Sequence, residues 1–301
     1  MTDVGAEEAA IGQLREAFTV CVAAGTTGVL QVTGDPGGAI LFDRGHVIAV
    51  QTSGAPSPEV LLLRSKLVPE SEWNAAFAAA AATGAPMSAE LISRQLVGAG
   101  ELEALLLAAL ADAVFVMASG TVDEYRAEPG LPDCELALEP GAEAAWLVAE
   151  ASRRIRVLAA ETSGHDRWIV AASGAVRPGV MLGGGQDEIL ALADGRRTAR
   201  DIAFVLGRGV YATMLQLDRM RQAGLLSTVS SRPVTDADGG ERGRGAAGGE
   251  SDVAPGLPRR RQDRPSALRR PWAQGRASEL RPPFSLLRPR SAWDGGGDQA
   301  P

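Results

Sequence analysis

The chain has 301 residues, enough for two domains of about 150 residues each, and 45% of them are apolar, which excludes the fibrous and fully disordered classes. No run of about 18 apolar residues occurs, and the first residues are acidic where a signal peptide would be basic, so a cytoplasmic protein without a membrane segment is expected. Net charge is −7, but residues 1–229 hold 17 basic against 28 acidic residues while 230–301 hold 13 against 9, which excludes a broad nucleic-acid-binding surface on the first part.

Residues 1–25 carry a helical stripe of Ile11, Leu14, Phe18 and Cys21, closed by Gly25. Residues 28–33 alternate apolar and polar, a Pro-Gly-Gly turn follows, and 39–42 and 47–50 are apolar. Three short antiparallel strands are therefore expected in succession. Gly45 allows the turn between the second and third, where Asp43 and Arg44 remain solvated. Helices are expected over 57–68, 71–83, 88–97 and 101–119, the last strongly apolar, with a strand over 121–126. Residues 134–138 alternate again, so a strand is expected there, and 141–161 read as a helix bridging two domains. A short apolar run lies in 164–177, and Gly183, Gly184 and Gly185 read as a joint. No internal repeat is evident in the residue pattern.

Residues 186–229 are the most informative stretch. Ile189, Leu190 and Leu192 form a short helix closed by Asp194 and Gly195. Thr198 with Asp201 forms a capping box ahead of Ile202, Val205 and Leu206, and Gly207 ends that helix. After a turn at Arg208 and Gly209, a longer helix carries Met214, Leu217 and Met220, followed by a β-prone segment from Leu225. Residues 230–301 contain Gly and Pro throughout and no periodic apolar stripe, so disorder is expected there.

Two resemblances follow from these patterns. The strand ending at Phe42, the turn Asp43-Arg44-Gly45, and the strand with Ile48-Ala49, followed by helices and a long helix leading to a strand, resemble the PATAN or DUF4388 family over about residues 8–128. That resemblance implies an α+β fold, a Roadblock/LC7-related antiparallel sheet with a helical insertion, in a bacterial signalling protein that contacts protein partners and forms a homodimer. One departure is Gly54-Ala55-Pro56-Ser57, where the family has a Gly-x-x-Ala segment. Residues 186–229 resemble the winged-helix modules of bacterial regulators, which implies contact with double-stranded DNA. The expected domains are 1–140, α+β; 141–185, linker helix and connector; 186–229, winged-helix-like; and 230–301, an Arg/Gly/Pro-rich tail.

No catalytic chemistry is legible. His46 and His165 lack a second ligand at a useful spacing, Cys21 and Cys134 are too few for a metal site, and the three glycines lack the Lys-Ser/Thr of a phosphate-binding loop. A non-enzyme without catalytic, metal or cofactor residues is expected. The DNA-contact candidates are Arg208, Tyr211, Thr213, Gln216 and Arg219 on the third helix, with Arg196, Arg197 and Arg200 placed for phosphates. Against them stands the weak local charge, six Arg against five acids over 186–229. Two readings follow: a transcriptional regulator with a protein-binding N-terminal domain and a DNA-binding C-terminal one, or a signalling adaptor acting through protein contacts alone.

Overall fold

The computed structural model describes residues 4–132, 134–159, 168–171, 183 and 185–229. Among them are nine helices and a four-stranded antiparallel sheet, an α+β architecture. Helix α1 (Val4–Ala23) precedes β1 (Gly28–Asp35), β2 (Gly38–Asp43) and β3 (His46–Thr52). Four helices, α2 (Pro58–Arg64), α3 (Glu70–Thr83), α4 (Met87–Ser93) and α5 (Ala99–Ala118), separate these strands from β4 (Thr121–Pro129). The sheet order is β3-β2-β1-β4, so the last strand closes onto the first.

The alternation along the strands decides which face each side chain takes. Leu30, Val32, Ile40 and Phe42 join the main core, where Phe18 of α1 meets Phe42 edge-on at 5.5 Å. Val29, Ala39, Leu41 and Ala49 point the other way into a smaller cluster that Ile48 and Cys134 cover in part. Between β2 and β3, Arg44 and Gly45 are left-handed, with φ 49° and 81°, and the Thr27 hydroxyl accepts the Arg44 N–H at 3.0 Å. Only at Gly45 is that conformation free of a Cβ penalty.

The helical insertion repeats itself. From residue 58 to 87 and from 70 to 99, each a step of 29, α2 and α3 are followed by α4 and α5. Corresponding positions match: Leu62 and Leu91 are fully buried, Val68 and Val97 are buried, and Lys66 and Gln95 are left-handed, with φ 64° and 58°. The absence of an internal repeat read from the residues is thereby corrected, because few side chains recur although the geometry does. The same left-handed residues end α2 at Arg64 and α4 at Ser93, short of the expected 68 and 97.

Residues 134–138 do not form the expected strand. Pro132 on one side and Pro140 with the left-handed Gly141 (φ 99°) on the other bound the segment, and the chain touches the edge of β3 at isolated points, Leu138 and Ala142, instead of in a ladder. Helix α6 (Ala144–Ala159) then packs on α1 and α5.

Three further strands form a second antiparallel sheet, in the order β6-β5-β7: β5 (Trp168–Ala171), β6 (Asp194–Thr198) and β7 (Leu226–Val229). Helix α7 (Gln186–Leu192) precedes β6, while α8 (Ala199–Leu206) and α9 (Val210–Gln222) lie between β6 and β7. The expected helix end at Asp194 thus continues as a strand. Ile189, Ile202, Val210 and Met214 belong to the same buried cluster as Leu14 and Phe115, so α7, α8 and α9 pack on the first sheet's helices. His165, Gly184 and residues 230–301 lie outside the described residues, as do 160–161 of the expected 141–161 helix and 164–167 and 172–177 of the apolar run, whose 168–171 form β5. None of the described helices is long and apolar enough to cross a membrane.

Candidate interaction site at the start of the ninth helix

Helix α9 opens without a cap of its own. Its N-cap is Gly209, which has no side chain to accept the first orphan N–H groups. Asp112, in the middle of α5, supplies the missing acceptor: its carboxylate accepts the Val210 N–H at 2.6 Å and the Tyr211 N–H at 2.9 Å. A carboxylate at a helix N-terminus also meets the positive end of the helix dipole. The cap thus comes from a residue 98 positions away.

Asp112 is 5% exposed. Burial pushes its carboxyl above the ordinary aspartate range, while the Tyr211 and Val210 N–H groups and Arg154 act in the opposite direction. Arg154 of α6 lies 3.4 Å from the carboxylate and also binds Glu150 through Nε at 2.8 Å. Glu150 accepts two bonds from Arg153, both at 2.7 Å. The Arg153 bonds, joined by Arg154 and opposed by burial, hold the Glu150 carboxyl down to about 2.

The Tyr211 ring completes the junction. It stands edge-on to Phe115 at 5.5 Å, and the Arg154 guanidinium lies 4.8 Å from its centroid, within cation–π reach. Helices α5, α6 and α9 therefore meet at one polar point inside an apolar contact. Chemically this is a latch: a shared carboxylate, two guanidinium groups and an aromatic ring, with no nucleophile beside a base. Among the described residues no group of three His, Cys, Asp or Glu side chains could hold a metal.

The eight DNA-contact candidates do not share one surface role. Thr213 is buried, and its hydroxyl donates to the Gly209 carbonyl at 2.9 Å. Tyr211 is half-buried in the latch. Arg208 donates to Glu188 at 2.6 Å and packs over Gly185, where a Cβ would lie 2.4 Å from the guanidinium. Arg197 pairs with Asp194 at 2.8 Å. Arg200 and Gln216 are half-buried, whereas Arg196 and Arg219 are exposed.

Sequence reasoning passed over Asp112, Phe115, Glu150, Arg153 and Arg154 as a site. One signal was available: Asp112 is the sole charged residue from 104 to 118, and a lone carboxylate in an apolar helix needs a buried partner. No family model, curated protein or solved structure matches the chain.

Proposed function

We propose that this protein is a bacterial signalling adaptor that acts through protein contacts, with α9 serving as a docked structural element. In this reading residues 1–140 are a PATAN-like, Roadblock/LC7-related domain and 186–229 a winged-helix-like module. The order of three strands, inserted helices and a returning strand supports the first assignment. The Thr198 capping box, the short α8 and the longer α9 support the second.

One observation carries the choice of adaptor over DNA-binding regulator. The first turn of a recognition helix must be free to reach base edges, and here that turn is held by Asp112, with Tyr211 and Thr213 turned into the body. The exposed Arg196 and Arg219 favour the second reading, a regulator that binds duplex DNA.

Fluorescence anisotropy of a labelled genomic duplex, titrated with the full chain at several salt concentrations, separates the two. The adaptor reading expects any duplex binding to be the same for the Arg196→Ala/Arg219→Ala variant. Salt-sensitive binding that this variant loses would overturn it in favour of the regulator, since each lost phosphate contact lowers the log–log salt slope by about 0.9.

A further inference from the structure

The sheet order leaves β3 at an edge, and among the described residues the backbone pairs with that edge only at its beginning. Val47 exchanges both backbone bonds with Ala142, at 3.0 and 2.8 Å, and the Leu138 N–H donates to the Ile48 carbonyl at 2.9 Å. Beyond that point β3 borders a cavity of about 350 Å³, to which every residue from Ile48 to Thr52 contributes. One face of a strand presents only alternate side chains, so five consecutive lining residues mean that the cavity runs along the strand's edge. An edge offers backbone N–H and C=O groups to a further strand.

The cavity is apolar below and acidic above. Leu106 and Leu110 of α5 and Leu136 supply buried apolar surface, while the exposed Glu59 and Glu135 stand at the rim. Among the described residues no Lys, Arg or His lines it. Burial and the neighbouring Glu59 both push the Glu135 carboxyl up, as for two carboxylates that lack a shared cation. In an added strand successive side chains would alternate between the apolar floor and the acidic rim.

Resting on the adaptor reading, we propose that the open edge of β3 takes an extended segment of a protein partner in which an Arg or Lys alternates with apolar residues. The segment's backbone pairs with β3, its apolar side chains sit over Leu106 and Leu110, and its cation lies between Glu59 and Glu135. Addition of a strand supplies affinity through the main chain, and the cavity and rim supply specificity.

Selection of displayed random heptapeptides on the immobilised full chain tests this. The expected result is an enriched class with a basic residue between apolar ones, whose synthetic peptide binds the Glu59→Gln/Glu135→Gln variant at least tenfold more weakly. Both substitutions are conservative and at exposed positions. Bound peptide should also slow alkylation of Cys134, which lines the cavity, at least threefold, and leave the buried Cys21 unaffected. Enrichment of acidic or purely apolar peptides, no enrichment, or affinity unchanged in the variant would overturn the proposal. So would a chain that elutes at twice its monomer mass and loses the peptide as the dimer forms, because the occupant would then be a second copy. No nucleic acid enters the experiment, so its failure is separate from that of the adaptor reading, which the duplex titration decides.

Discussion

Asp112 serves two ends at once, capping α9 and facing Arg154, in a place where burial opposes its charge. Truncation to alanine leaves two N–H groups and a guanidinium without their acceptor. Breaking a buried pair of this kind costs about 3–5 kcal/mol. Asp112→Ala should therefore lower the thermal midpoint by several degrees or more, and Asp112→Asn, which keeps one acceptor oxygen, should lower it less. Equal losses in calorimetry would show that the ionised carboxylate carries the whole effect, with nothing contributed by side-chain volume or by one remaining acceptor oxygen. Tyr211 reads in the sequence as a residue for base contact because it lies in the first turn of the longest C-terminal helix. Its placement against Phe115 and Arg154 depends on which helix lies opposite, which no local pattern encodes.

The two ends of α8 were legible, because caps are local chemistry. The Thr198 and Asp201 side chains each accept the other's backbone N–H, at 3.2 and 2.9 Å, and Gly207 closes α8 as read. Thr198→Ala should cost about 1 kcal/mol, measurable as a shift in the urea midpoint at unchanged slope. The 29-residue recurrence was not legible, since its clearest marks are two left-handed residues, Lys66 and Gln95, that are not glycine. Both are exposed, one position beyond the caps of α2 and α4. Lys66→Gly and Gln95→Gly should each stabilise the chain by up to about 1 kcal/mol. A loss of stability at both positions would show that those side chains contribute packing that outweighs the backbone strain. The strand expected at 134–138 does not form because alternation alone does not make a ladder: the segment reaches the edge of β3 through the Leu138 N–H, and the next contact, at Ala142, lies beyond Pro140.

For the whole molecule, the charge network on α6 sets a pH dependence. The folded Glu150 carboxyl is held at about 2, below its ordinary value of 4.5, so its contribution to stability is fully present above about pH 4.5 and is lost as pH falls towards 2. Urea midpoints measured between pH 6 and 3 should fall on acidification, and Glu150→Gln should flatten that fall. The three-strand succession and the run of helices after it could be read from the sequence, because period 2 and period 3.6 patterns and Gly or Pro breaks are properties of neighbouring residues, whereas an α+β sheet with those helices inserted was only implied by the family resemblance. The order β3-β2-β1-β4, the second sheet built from β5, β6 and β7, and the docking of α9 on Asp112 were decided only in three dimensions. They join residues as far as 98 positions apart, and such contacts depend on which buried faces match once the helices and strands have formed.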